Sequence, residues 1–152
     1  MDEALCLVDS NILIRWMDAH SPECPDIRAA LDVLVRRRFL LCYTSQNLGE
    51  FWNACTRPFA RNGLGLSPEE ANRRAMFFET RLRLLPDGVH VHDEWRRLLV
   101  EYQVSGAQVH DTRLVAIMNV YGVTQLLTYN TKDFARFKHV RAMQPNEVIS
   151  NF

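Results

Sequence analysis

The feature that most constrains this chain is an unbroken apolar run, Ala4 to Val8, which ends at an aspartate, Asp9. A run without apolar–polar alternation is typical of a strand buried on both faces, as in a parallel sheet. Ser10 and Asn11 then begin a helical pattern, so Asp9 lies where strand gives way to helix, at the edge where open parallel sheets bind ligands. Asp9 is therefore either a metal ligand or a helix N-cap, and both readings stay open.

Strand-like runs and helical patterns alternate along the rest of the sequence. Further strands are predicted over 39–43, 83–85, 123–128 and 140–143. Further helices are predicted to open at Ser21-Pro22, at Thr44 or Ser45, at Ser67, at Asp93, at His110 and at Thr131. This alternation favours a parallel sheet covered by helices on both faces. No domain boundary is evident, so one domain over residues 1–152 is predicted.

Composition narrows the class of protein. The 152 residues show no basic segment followed by a long apolar stretch, and no run approaches the roughly 18 apolar residues of a membrane span. We therefore expect a cytoplasmic, soluble protein with no membrane partner. The four cysteines have no CxxC spacing, which favours buried free thiols over a zinc site or a disulfide framework.

Charge gives a weaker indication. The formal net charge is zero, yet all but two of the 18 basic residues are arginine, which suits bidentate phosphate contacts. Short charge clusters on helices are usually solvated faces. Arg57, Arg61 and Arg113 are nevertheless candidates for contacts with a phosphate backbone.

Acidic side chains recur where predicted strands end or the neighbouring helices begin. Asp111 shares a helical stripe with Leu114, Val115 and Met118, so its carboxylate is expected to lean toward the sheet. An ionised carboxylate buried without a partner is too costly, so Asp111 requires a cation or strong donors, or serves as a helix N-cap. Glu50 lies opposite the apolar stripe of its helix, so it is either an ordinary exposed glutamate or the border of a cleft.

A cluster of such acids has a plain chemical use. Mg²⁺ and Mn²⁺ prefer carboxylate and water oxygens. Crowded carboxylates without a metal repel one another and shift their own pKa values. Divalent ions relieve that repulsion, activate water and stabilise the charge of a phosphate displacement.

At this point four segments of the chain resemble the signature segments of a known family, the PIN-domain ribonucleases. They are 7–13 (LVDSNIL), 45–52 (SQNLGEFW), 109–116 (VHDTRLVA) and 127–134 (LTYNTKDF). Within that family the chain is most similar to VapC-type toxins of toxin–antitoxin pairs. The resemblance implies a flavodoxin-like α/β/α sandwich and metal-dependent cleavage of single-stranded RNA, with 5′-phosphate and 3′-hydroxyl products. It also implies a homodimer silenced by a small VapB-like antitoxin.

The resemblance also assigns roles to residues. It implies that Asp9, Glu50 and Asp111 are catalytic acids that hold Mg²⁺ or Mn²⁺. The fourth place falls on either Asn130 or Asp133, and we favour Asp133 as the carboxylate, with Asn130 as an oxygen or water-mediated ligand. The residues expected to orient these acids are Ser10, Asn11 and Thr128.

Three alternatives to a ribonuclease are a phosphatase, a non-catalytic scaffold domain and a protein with a histidine metal site. A haloacid-dehalogenase-like phosphatase also ends its first strand in Asp but needs a second acid two residues later, where this chain has Asn11. A receiver-like or scaffold domain could use the same cleft for a protein partner without catalysis. His90 and His92, two apart in a stretch predicted to be extended, would face the same way as a transition-metal pair. Motifs of nucleotide cofactors and serine hydrolases are missing.

Overall fold

The structure is a computed structural model that describes residues 3–152, and its centre is a five-stranded parallel sheet. The strands are β1 (Ala4–Val8), β2 (Phe39–Thr44), β3 (Arg83–Leu85), β4 (Gln125–Leu127) and β5 (Arg141–Met143). They lie in the order β3-β2-β1-β4-β5, and every neighbouring pair is parallel. The prediction of a parallel sheet built on Ala4–Val8 is therefore confirmed.

Seven helices connect and cover the strands within residues 3–152. They are α1 (Ser10–Trp16), α2 (Cys24–Arg36), α3 (Ser45–Thr56), α4 (Pro68–Glu79), α5 (Val89–Glu101), α6 (Gln108–Tyr121) and α7 (Pro145–Asn151). Two short 3₁₀ helices, Phe59–Arg61 and Thr131–Phe134, lie in the connections. No helix in this part of the chain is both long and apolar enough to cross a bilayer.

Each face of the sheet has its own apolar core. Along β1, Cys6 and Val8 point into one core and Leu7 into the other, as expected of a strand covered on both faces. The first core contains buried residues of α1, α2, α3, α4 and α7, and the second contains those of α5 and α6. The fold is therefore the flavodoxin-like α/β/α sandwich that was predicted.

The order of the strands locates the functional edge. The chain leaves β1 to build β2 and β3 on one side and later returns to build β4 and β5 on the other. Such a reversal opens a crevice at the carboxyl ends of the two central strands. The Asp9 amide extends the pairing by donating to the Leu127 carbonyl at 3.0 Å, which brings the ends of β1 and β4 together.

Three sequence predictions about helices need correction. Helix α5 begins at Val89 after Gly88, so Asp93 lies inside it rather than capping it. His90 and His92 are thus helical, and residues two apart on a helix do not face each other, which removes the proposed metal pair.

The second correction concerns α2, which begins at Cys24 with Pro25 in its first turn rather than at Ser21-Pro22. The third is α7, which was not predicted at all. The expectation for the cysteines is confirmed: all four thiols are free and buried.

Candidate active site

Asp9 is both a helix cap and a buried carboxylate. It is the N-cap of α1, where its Oδ1 accepts from the Ser10 amide at 2.8 Å, and its side chain is 5% exposed. Burial raises the pKa of the Asp9 carboxyl, bonds from Thr128, Ser10 and Asn11 oppose that rise, and the charge of Glu50 adds to it. The capping interpretation and the metal-ligand interpretation are therefore compatible.

Two side chains fix the second oxygen of Asp9. Thr128 Oγ1 donates to Asp9 Oδ2 at 2.8 Å, and Asn11 Nδ2 lies 3.2 Å from the same oxygen. Asn11 also donates to Thr128 Oγ1 and accepts from the Tyr129 amide, so it joins the start of α1 to the end of β4. Asn11 thus takes the position where a phosphatase of the haloacid-dehalogenase kind needs its second acid.

The Ser10 side chain hydrogen-bonds to Asn47, a contact that was not predicted from the sequence. Its hydroxyl accepts from Nδ2 of Asn47 at 3.1 Å, whereas only its backbone amide contacts Asp9. Asn47 is fully buried, and its Oδ1 accepts from both the amide and the hydroxyl of Thr44, each at 2.9 Å. Thr44 Oγ1 in turn caps the Asn47 amide. Asn47 thereby connects the end of β2 and the start of α3 to α1.

Asp111 supplies the second carboxylate of the site, from the first turn of α6. Leu114, Val115 and Met118 of its stripe are all buried, so the helix presents Asp111 toward the sheet as expected. Among residues 3–152 no donor hydrogen-bonds to its carboxylate. Burial, followed by the charges of Asp9, Asp133 and Glu50, raises the pKa of Asp111 to about 6. The helix-capping alternative is excluded, because Asp111 lies three residues inside α6.

Glu50 is exposed but held in place by a network that spans three elements. Gln46 Nε2 donates to Glu50 Oε1 and to the His110 carbonyl, both at 2.9 Å. Arg113 Nη1 donates to Gln46 Oε1 at 3.3 Å, and its Nη2 donates to Asp87 at 2.6 Å. The amide of Gln46 therefore has a defined orientation, and Glu50 is fixed beside the start of α6.

Asn130 and Asp133 are the two candidates for the fourth position of the acidic cluster. Asn130 lines the cleft directly, and its amide donates to Thr128 Oγ1 at 3.0 Å. Asp133, which was favoured from the sequence, lies on the following 3₁₀ helix outside the cleft lining, although its charge acts on Asp111. Its amide donates to the Asn130 carbonyl, which holds the two residues in one turn.

A single cleft of about 310 Å³ collects most of these side chains at the carboxyl edge of the sheet. Its lining includes Asp9, Ser10, Asn11, Glu50, Asn53, Arg57, Asp111 and Asn130. Arg57 is held by a bond from Nη2 to the Asn62 carbonyl, while its buried Nε has no partner among the described residues. Arg61 is exposed, and Arg113 is engaged by Asp87.

The donor set fits a hard divalent cation. Within residues 3–152, no three Asp, Glu, His or Cys side chains are close enough to form a ready-made metal cage. Mg²⁺ rarely needs such a cage, because it usually keeps several waters and uses one or two carboxylates. Burial, and then the charges of Asp9, Asp133 and Glu50, raise the pKa of Asp111, and a cation held by Asp9 and Asp111 would offset both effects. The oxygen-only chemistry of the site therefore suits Mg²⁺ or Mn²⁺.

The raised pKa of Asp111, caused first by burial and then by the neighbouring carboxylates, gives a stability prediction. A carboxyl whose pKa is raised on folding favours the folded state at low pH, and this contribution is lost as pH rises from about 4 to about 6. At pH 7.5 in EDTA, Asp111→Asn should therefore raise the free energy of unfolding by about 1 kcal/mol, a figure reduced for solvent screening. Urea denaturation at pH 4.5 and 7.5 measures the change, with exposed Asp93→Asn as the control. Equal stability of Asp111→Asn and the wild type at pH 7.5 would contradict the prediction.

Comparisons with known proteins bear on the fold. No protein-family profile matches the sequence, and no curated protein matches it. Solved structures do match. VapBC2 from Rickettsia felis, bound to a promoter DNA fragment, is 16% identical with a TM-score of 0.71, and the match covers 92% of this chain and 98% of that one.

Two further structures match at similar levels. Mycobacterium tuberculosis VapC20, a toxin that cleaves the sarcin–ricin loop, is 16% identical with a TM-score of 0.65, covering 86% of this chain and 94% of that one. A toxin–antitoxin complex from Klebsiella pneumoniae is 18% identical with a TM-score of 0.61, covering 92% and 97%. Identities this low establish architecture, and the architecture is shared over nearly the whole length. This chain therefore has the PIN-domain fold of the VapC-type toxins.

Proposed function

We propose that this chain is a metal-dependent endoribonuclease that cleaves single-stranded RNA and is the toxin of a type II toxin–antitoxin pair. The observation that carries the proposal is the meeting of Asp9, Glu50 and Asp111 in one cleft, although they are far apart in sequence. The fold adds support, since VapC20 with the same architecture cleaves an RNA loop. The sequence resemblance of the four motif segments points to the same chemistry.

The proposed cofactor is Mg²⁺ or Mn²⁺, held by Asp9 and Asp111, with Glu50 and either Asn130 or Asp133 completing the surroundings through water. When bound, the ion supplies a water nucleophile of lowered pKa and stabilises the charge of the phosphate displacement. Thr128 and Asn11 fix the position of Asp9 Oδ2 by donating hydrogen bonds to it. Gln46 engages one oxygen of Glu50 and leaves the other available to orient a water.

Charge also supports RNA as the substrate. Arg57 is the arginine that lines the acidic cleft, where it is positioned to contact a phosphate next to the scissile one. From the resemblance and the solved toxin–antitoxin complexes, we propose a small antitoxin as partner, with a segment occupying this cleft. We also propose that the chain works as a homodimer in the cytoplasm.

The proposal is tested by incubating the purified chain with a mixed-sequence pool of single-stranded RNA in millimolar Mn²⁺ or Mg²⁺, and in parallel in EDTA. We expect ion-dependent cleavage that leaves 5′-phosphates, with no cleavage in EDTA. DNA of matched sequence and p-nitrophenyl phosphate are the comparison substrates. RNA that stays intact in the presence of the ion would overturn the nuclease, and hydrolysis of p-nitrophenyl phosphate alone would favour the phosphatase alternative.

A further inference from the structure

A second cleft of about 530 Å³ lies beside the first, along the polar face of α3. Its lining is formed by Gln46, Gly49, Glu50, Asn53, His110 and Asp111. The four residues from α3 follow the spacing i, i+3, i+4 and i+7, so they occupy one face of the helix. Glu50, Asn53 and Asp111 line both clefts, so the second cleft continues directly from the acidic one.

Gly49 lies at the middle of this face, and no contact within the molecule explains why this position is glycine. It lies in the interior of α3 with an ordinary helical backbone, and a Cβ placed on it would meet nothing within 4 Å. Glycine there weakens the helix relative to alanine or leucine, which are good helix formers. Neither packing nor backbone conformation therefore requires glycine at this position. A ligand that approaches the helix closely would require it, because any side chain here would block the approach.

Gln46, which lines the second cleft next to Gly49, is held in place by hydrogen bonds. The Gln46 amide makes three hydrogen bonds, to Glu50, to the His110 carbonyl and from Arg113, which Asp87 holds in turn. A side chain that is already held in place loses little conformational entropy when a ligand binds. The second cleft is therefore prepared as a binding surface.

The distribution of charge in the second cleft selects the part of a nucleic acid that fits. Glu50 and Asp111 make its inner end acidic, so an RNA phosphate belongs at that end only beside a divalent ion. Beside them the lining contains the polar residues Gln46, Asn53 and His110, and the side-chain amide of Asn53 has no hydrogen-bond partner among the described residues. Such groups suit ribose hydroxyls and base edges.

We propose that the nucleotide next to the scissile phosphate lies across Gly49 in this second cleft, with its ribose or base in contact with the bare surface of α3. This subsite rests on the proposed nuclease function, and it assigns Gly49 a role in substrate binding. Gly49 acts by leaving space, so filling the space should weaken binding of RNA while sparing the acids and the fold.

The test uses Gly49→Leu and Gly49→Ala in the full chain, with single-stranded RNA as substrate. Leucine restores helix propensity and fills the cleft, so Gly49→Leu should raise Tm by about 2 °C while raising KM about tenfold with kcat unchanged. Gly49→Ala should raise Tm similarly with a smaller change in KM. Mn²⁺ affinity, measured by calorimetry without RNA, should stay at the wild-type value in both variants.

Asn72→Leu, on an exposed face of α4 outside both clefts, is the matched control and should leave KM unchanged. If wild type cleaves RNA and Gly49→Leu has the wild-type KM, the subsite is wrong and the nuclease stands. A fall in kcat or in Mn²⁺ affinity at constant KM would place the effect on Glu50 and also overturn the subsite. A wild type that neither binds nor cleaves RNA would overturn the nuclease and the subsite together.

Discussion

Asp9→Asn is expected to lower RNA cleavage by about 10²–10³-fold while leaving the fold intact, because it removes the most enclosed charge of the cleft. The substitution keeps an oxygen that can accept from the Ser10 amide, so the cap of α1 survives. The new amide group faces Thr128 Oγ1, which already accepts from Asn11 Nδ2 and from the Asn130 amide, so one of these hydrogen bonds is lost. Loss of a buried charge offsets the cost of that bond. Cleavage rates with Mn²⁺, together with circular dichroism and Tm, measure the result.

Asp32→Asn on α2 is the control for Asp9→Asn, since Asp32 is exposed and lines neither cleft. It should cleave at the wild-type rate. An Asp9→Asn protein that is folded and equally fast would show that Asp9 is only a helix cap. Cleavage would then have to depend on other residues, and the proposed mechanism would fail.

Asn47→Ala should lower the free energy of unfolding by about 2–4 kcal/mol, because it removes a buried hydrogen-bonding side chain and leaves a cavity. Removing the side chain leaves the buried Thr44 amide without its acceptor and Ser10 Oγ without its donor. A cavity is left as well, because Asn47 is fully buried. Urea denaturation in EDTA measures the change.

The control for Asn47→Ala is Asn146→Ala, an exposed position in the first turn of α7, where a change below about 0.5 kcal/mol is expected. Asn47→Asp tests the network separately: it keeps the acceptor for Thr44 but loses the donor to Ser10 and adds a buried charge. A cost for Asn47→Ala under about 1 kcal/mol would mean that water replaces the lost bonds and that Asn47 does not hold α3 against α1.

The features that sequence reasoning located best depend on local pattern. The unalternated run Ala4–Val8 predicted a central strand because burial on both faces leaves no room for polar positions. The stripe of Leu114, Val115 and Met118 predicted the orientation of Asp111 because helical periodicity fixes side-chain direction. Burial of the cysteines likewise followed from their apolar neighbours.

The features that it missed depend on partners distant in the chain. Asn47 stands in a polar stretch where an asparagine is usually solvated, and its burial requires Ser10, 37 residues away. A capping residue three positions after Thr44 was the available signal. Helix α5 was misplaced because Val89, His90, Val91 and His92 alternate with period two, which imitates a strand. Helix α7 was missed because it buries only Pro145 and Val148, which is too few apolar positions to show a helical stripe.

The choice between Asn130 and Asp133 illustrates a finer limit. Both follow β4, and they are only three positions apart, so sequence spacing alone left either in reach of the acids. The 3₁₀ helix Thr131–Phe134 settles which one lines the cleft by turning Asp133 onto an exposed side. That turn depends on Phe134 packing into the second core.

The pairing of β1 with β4 has a consequence for when activity can first appear. Asp9 is held by Thr128, 119 residues later, and the cleft draws on residues from near the start of the chain to Asn130. A growing chain that ends before Thr128 therefore lacks the bond that holds Asp9 and lacks one side of the cleft. Strand pairing between segments so far apart in sequence is slow to form. The candidate site can therefore be completed only after most of the chain has been synthesised.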